Sequence, residues 1–311
     1  MPTQNEQLAN IRAELAKRPP TQGTFVDRRA RWEPLYQKIC PTIPGTVAEP
    51  VDIPGVRAEW VTTALRPRDD AVILYIHGGG FTAGTVGAYR GLASRYSAAA
   101  QARVLSFDYR HAPEQPFPAA LDDSVAVYRW LLNQTPPHRI GLVGDSAGGN
   151  LVVATMLQIR DSGDRLPAAA VCVSPVFDLA LTGESVKSRV SRDPMILPES
   201  LRLCSAAYLG GKDSRTPLAS PLYADLYGLP PMLIEMGSEE MLRDDSVRLA
   251  EKAKQAGVDV TLEEWADMIH VWHLFADRLE DGRAAIAGVG AFLRKHIPWI
   301  FGGGSIGVFG E

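Results

Sequence analysis

Cysteine is scarce in this chain: Cys40, Cys172 and Cys204 are the only three among 311 residues. Odd in number and widely spaced, they exclude a disulfide framework, and none forms the C-x-x-C pair used in zinc or dithiol redox chemistry. A reducing compartment is the expected home. There is no long basic run, and 32 Lys and Arg against 36 Asp and Glu leave a formal charge of −4, so nucleic acid is not an expected partner. No apolar stretch reaches the roughly 18 residues of a membrane helix. The polar start Met1 to Glu6 lacks the basic and apolar regions of a signal peptide. A cytoplasmic protein without a membrane span is therefore expected. No internal repeat is found, and the only low-complexity stretch is Gly302 to Ser305.

Apolar residues, by contrast, are plentiful. At 46% they can fill a large core, and the length permits one or two domains. They come in short runs: 71–76, 104–107, 140–143, 170–173, 232–236 and 260–265. Helical segments near 91–100, 121–132, 150–160, 245–256 and 276–295 lie between and after them. Short apolar strands alternating with helices predict parallel βαβ units, hence an α/β fold with a mostly parallel sheet and helices on both faces. Val51 to Leu65 alternates more loosely and predicts antiparallel edge strands. Two regions break the rhythm. In 1–45, Leu8, Ile11 and Leu15 mark one amphipathic helix; about 178–222 is rich in Ser, Arg and Pro and helical around 198–208. The expected organisation is an N-terminal cap segment, 1–45, and a catalytic domain, 46–311, with a cap insertion at about 178–222.

Chemistry concentrates at the strand ends. Gly144-Asp145-Ser146-Ala147-Gly148 is a G-x-S-x-G sequence between a strand and a helix, the context that a nucleophilic serine on a sharp turn requires. Out of that context, the same serine would be an ordinary helix cap. His77-Gly78-Gly79-Gly80 follows the strand 71–76. With the N–H of Ala147, those of Gly78 and Gly79 form a candidate oxyanion hole. A phosphate cradle is disfavoured because no Lys-Ser or Lys-Thr follows, and His77 is read as structural. The base is expected after the last strand, where Met268-Ile269-His270-Val271-Trp272-His273 stands. His270 is the first choice and His273 the rival; the pair lacks the carboxylate of H-E-x-x-H, so no metal is expected. The acid is expected after 232–236, where Glu239, Glu240, Asp244 and Asp245 are not separated by spacing alone. Acids there also suit the start of a helix. The order serine, acid, histidine is that of the α/β-hydrolases. Gly302 to Gly307 matches G-x-G-x-x-G, but no strand-to-helix unit surrounds it, so it is not a dinucleotide site.

These motifs, together with Asp108-Tyr109-Arg110-His111-Ala112-Pro113-Glu114, Ser174-Pro175 and Ile269-His270, resemble the hormone-sensitive-lipase family of α/β-hydrolases, the bacterial capped esterases and lipases. The resemblance covers roughly 60–300. It implies an α/β-hydrolase fold with a helical cap, cleavage of small, short-acyl carboxylic esters through a serine triad, no cofactor, and homodimers through a sheet edge in many members. The family's Asp-Pro-Leu falls on Glu240-Met241-Leu242, which makes Glu240 the implied acid with a carboxylate one methylene farther out. His111 replaces the usual leucine. Amide, carbamate or lactone hydrolysis would use the same residues. A non-catalytic binding role, as in plant gibberellin receptors of similar sequence, fits poorly with a serine, a histidine and a candidate acid all in place.

Overall fold

The apolar runs form the centre of one eight-stranded sheet. A computed structural model describes residues 3–17, 23–63 and 68–297; the tail with its G-x-G-x-x-G sequence lies outside them. In chain order the strands are β1 (Val47–Ile53), β2 (Val56–Thr62), β3 (Arg68–Ile76), β4 (Ala102–Phe107), β5 (Ile140–Asp145), β6 (Ala169–Val173), β7 (Met232–Gly237) and β8 (Val260–Trp265). In space they run β1-β2-β4-β3-β5-β6-β7-β8. The first two form an antiparallel hairpin, and β2 pairs antiparallel with β4. Every pairing from β4 to β8 is parallel. The strand period of two sorts side chains between two apolar clusters. Val72, Leu74 and Ile76 join Leu142, Cys172 and Ile234 on one face; Ile73 and Tyr75 join Val143, Val171 and Leu233 on the other. Helices α4 (Ala119–Leu132), α5 (Ala147–Asp161) and α8 (Arg243–Gln255) contribute to the first cluster. Helices α3 (Val86–Ala100) and α9 (Glu280–His296) contribute to the second. A parallel sheet needs this double cover.

Three helix expectations are corrected. Helix α3 starts at Val86 and not near 91, because the Thr85 hydroxyl accepts the Ala88 N–H at 3.0 Å and caps it. The final helix starts at Glu280, since Trp272–Phe275 coils first into a 3₁₀ turn. The N-terminal segment holds two helices, α1 (Gln4–Ala16) and α2 (Phe25–Ile39). The second leaves little periodic signal because it buries only Tyr36 and Ile39 and contains Pro34; a reciprocal Thr24–Asp27 capping box starts it. Leu8, Ile11, Leu15, Tyr36 and Ile39 all join the second cluster, so this segment shares the core of the sheet. Between β6 and β7 lie the short α6 (Ser185–Ser188) and α7 (Pro198–Leu209), the latter ended by Gly210 in the left-handed conformation.

Candidate active site

Ser146 stands on the turn between β5 and α5 with φ 52° and ψ −118°, a conformation that costs a non-glycine residue free energy and is held by its surroundings. The holding bonds are visible. Its N–H donates to Val173 O at 2.8 Å, and its carbonyl accepts the N–H groups of Asn150 and Val176, both at 3.3 Å. The turn is tight because Gly148 lies against β3: a Cβ there would collide with the carbonyl oxygens of Ile76 and His77. Asn150 donates its side-chain amide to Val176 O at 2.8 Å and Ala219 O at 2.9 Å, tying the elbow to both ends of the chain excursion between β6 and β7.

His270 Nε2 lies 3.0 Å from Ser146 Oγ, and His270 Nδ1 lies 2.9 Å from Glu240 Oε2. Glu240 is wholly buried. Its other oxygen, Oε1, accepts the Gly237 N–H and the Ser174 hydroxyl, each at 2.6 Å. The longer glutamate therefore reaches the imidazole from a loop that folds back on the end of β7. Burial opposes charge on His270, but the hydrogen bond and charge of Glu240, helped by Asp193 and Asp145, outweigh it and hold its pKa above the ordinary value of 6.5. The group is thus a strengthened base with its tautomer set by a carboxylate.

The rival residues go elsewhere. His273 Nε2 pairs with Glu235 Oε2 at 2.9 Å, both fully buried, so the two histidines of the H-x-x-H pattern serve different carboxylates. Glu239 turns away to Arg189 and Arg192 at 3.2 and 3.4 Å. Asp244 accepts the Ser185 N–H at 2.9 Å, and Asp245 accepts those of Phe177 and Asp178, both at 2.9 Å. These aspartates fasten the insertion to α8.

The glycine loop departs from expectation at one residue. The Gly78 N–H donates to Asp145 Oδ1 at 3.1 Å, so Gly78 is already committed and is corrected as an oxyanion donor. For the N–H groups of Gly79, Gly80 and Ala147 no protein acceptor exists among the described residues; Ala147 opens α5, where first-turn amides lack helical partners. Gly79 has φ 110°, open only to glycine at low cost. His77 is structural as expected: its ring stacks between Tyr89 and Tyr109 at 5.2 and 4.3 Å, its Nδ1 faces Gly78 O at 2.7 Å, and burial pushes its pKa down to about 3.

Both irregular regions reach this loop. From α2, Arg29 donates to Thr82 O at 2.6 Å and Ala112 O at 2.7 Å and pairs with Glu114. From α7, Tyr208 stacks on Phe81 with ring centres 3.7 Å apart, and Cys204 Sγ lies 3.4 Å from Thr82 Oγ1. From α1, Arg12 donates to Arg192 O at 2.7 Å and to Asp267 O at 3.0 Å, three residues before His270.

A family profile described as the alpha/beta hydrolase fold matches residues 73–274. An esterase from the bacterial hormone-sensitive lipase (HSL) family superposes with a TM-score of 0.89 and 46% identity over 96% of this chain and all of that one. The chain belongs to the hormone-sensitive-lipase family of α/β-hydrolases. The esterase EstE5 is similar at 42% identity and TM-score 0.90 over 94% of this chain and 98% of its own. An acetyl-hydrolase of Streptomyces hygroscopicus is 49% identical over 252 residues, 81% of this chain and 83% of its own length. A carboxylesterase of Mycobacterium tuberculosis, NlhH, is 35% identical over 72% of each. His111 occupies a half-buried site edge-on to Tyr109, where burial and then Arg29 push its pKa down to about 4.

Two residues of the site were missed in the sequence as chemistry. Ser174 stands in the sequence only as part of a family motif; its place at the carboxyl end of an apolar run is the available signal. Asp145 occupies a variable position of G-x-S-x-G. Its link to Gly78 depends on β3 and β5 being neighbours, which no local pattern reveals.

Proposed function

We propose that this member of the family hydrolyses small, short-acyl carboxylic esters through an acyl-enzyme, with Ser146 as nucleophile, His270 as base and Glu240 as acid. The observation that carries this is the unbroken run of contacts from Ser146 Oγ through both ring nitrogens of His270 to Glu240, at 3.0 and 2.9 Å. In the first half-reaction His270 Nε2 takes the Ser146 proton while Oγ bonds to the ester carbon. The carbonyl oxygen becomes an oxyanion facing the N–H groups of Gly79, Gly80 and Ala147. The C–O bond to the alcohol then breaks, and the imidazolium returns its proton to the leaving oxygen. Water, deprotonated by His270, repeats the sequence on the acyl-enzyme and frees the acid and Ser146. Glu240 keeps Nδ1 protonated and balances the imidazolium charge. No step calls for a cofactor.

In the same reading, 1–45 and the insertion at about 178–222 act as the cap, with α2 and α7 bracing the glycine loop. The name of one relative, acetyl-hydrolase, supports a short acyl group. Cytoplasmic residence fits three free thiols; homodimers would form through an edge of the sheet. No helix among the described residues is long and apolar enough to cross a membrane. The test is hydrolysis of aryl esters of rising acyl length beside one matched anilide, by the parent chain and Ser146→Ala. We expect turnover that peaks at short chains, a far slower anilide, and background rates for a folded Ser146→Ala. Retained ester turnover in that variant sinks the assignment.

A further inference from the structure

Ser174 is fully buried, takes no part in the proton transfers described above, and sits at the junction of three elements. It follows β6 directly, with φ 47°. Its N–H donates to Glu235 O on β7 at 2.7 Å. Its hydroxyl donates to Glu240 Oε1 at 2.6 Å and accepts the Val271 N–H at 2.9 Å. Val271 is the residue after His270 and is itself left-handed, φ 49°. For a β-branched side chain that is a true outlier, and such a conformation persists only where neighbouring bonds over-determine it. One oxygen thus grips the acid by donating and the base's own turn by accepting.

We propose that Ser174 is a positioning residue that sets the distance and direction of Glu240 against His270. This rests on the triad reading above. A hydroxyl has one proton to give; here it goes to the carboxylate, leaving the oxygen lone pairs for the Val271 amide. The bond is charge-assisted and buried, the circumstances in which a hydrogen bond is strong and its loss costly. Glu240 Oε1 would keep only the Gly237 N–H without it, and the Val271 N–H would be left unpaired beside the base.

The charged groups facing His270 are Glu240 from the loop after β7, Asp193 from the insertion and Asp145 from the elbow; Ser174 contacts only the first. Without that donation Glu240 is held less well against His270, its support of the imidazolium weakens, and the acid limb of kcat/KM moves to lower pH.

The test is a double-mutant cycle of Ser174→Ala and Glu240→Gln on a short aryl ester, with kcat, KM and pH profiles for each. We expect Ser174→Ala to lower kcat roughly 10- to 100-fold, the scale of a lost hydrogen bond to a charged group, with KM nearly unchanged. Its acid limb should lie at lower pH than that of the parent. In the Glu240→Gln background the same change should cost little more, because its route to His270 is already cut. An unchanged kcat, an unmoved acid limb, or losses that multiply in the double variant would each overturn the proposal. The Glu240→Gln and Ser146→Ala single variants report on the triad reading separately. Should Ser174→Ala not fold, Ser174→Cys keeps the shape with a weaker donor and is judged by the same outcomes.

Discussion

At the scale of residues, the proposed acid Glu240, 2.9 Å from His270 Nδ1, is where the geometry allows the sharpest test. Glu240→Gln keeps the shape of the contact to His270 but favours the wrong tautomer; in a related triad such a change costs on the order of 10⁴ in kcat. Asp244→Asn weakens a bond to the Ser185 N–H and a helix-terminus interaction of roughly 0.3–1 kcal/mol, and should leave kcat within a few-fold. Because Glu240 raises the His270 pKa, Glu240→Gln should also move the acid limb of kcat/KM to lower pH. Parallel pH–rate profiles check both; a crippled Asp244→Asn beside a mild Glu240→Gln would transfer the role. The sequence sufficed to narrow the acid to four residues, and family likeness then chose one. What remained illegible was direction: Glu239 and Glu240 are neighbours, yet one faces Arg189 and the other His270. That is decided by a loop whose Gly237 N–H and Ser174 partner come from different strands.

At the scale of elements, strand positions were legible because buried parallel strands are continuously apolar, and the elbow was legible because glycine spacing reports close backbone approach. Helix α2 was not, because it buries only Tyr36 and Ile39 and its other ties are polar, which leaves no periodic stripe. Those contacts predict a role. Arg29→Ala removes donors to Thr82 O and Ala112 O, two anchors of the loop that carries Gly79 and Gly80. The expected outcome is a fall of about tenfold in kcat/KM, the scale of losing a hydrogen bond from a charged group, with melting lowered by only a few degrees. Glu114→Gln spares both backbone contacts and should fall much less. Kinetics and thermal melts of the two variants decide it; equal, unchanged kinetics would leave α2 a structural cover alone.

At the scale of the whole molecule, the site sits over a buried charge. Asp145 is fully enclosed, and burial pushes its pKa from 3.8 up to about 6 against the pull of the Tyr75 hydroxyl, 2.6 Å away, and the Gly78 N–H. A carboxyl that holds its proton more tightly when folded favours the native state at low pH. Stability from this group should therefore decline as pH rises from about 4 to about 6 and level off above, by on the order of 2–3 kcal/mol. Asp145→Asn should flatten that stretch in denaturant melts taken at successive pH values; an unaltered slope would show that another group carries it.

The grip of Ser174 on Glu240 and Val271 also bears on how such enzymes can be recombined. The loop that carries Glu240 is a short, contiguous segment between β7 and α8, and it invites exchange with the corresponding loop of a relative. Yet the glutamate is fitted to a hydroxyl that travels with β6, some sixty residues earlier in the chain. A graft of the loop alone would install a carboxylate facing a partner placed for another. The transplantable module is discontinuous: strand end, acid loop and histidine turn move together or the graft is mismatched.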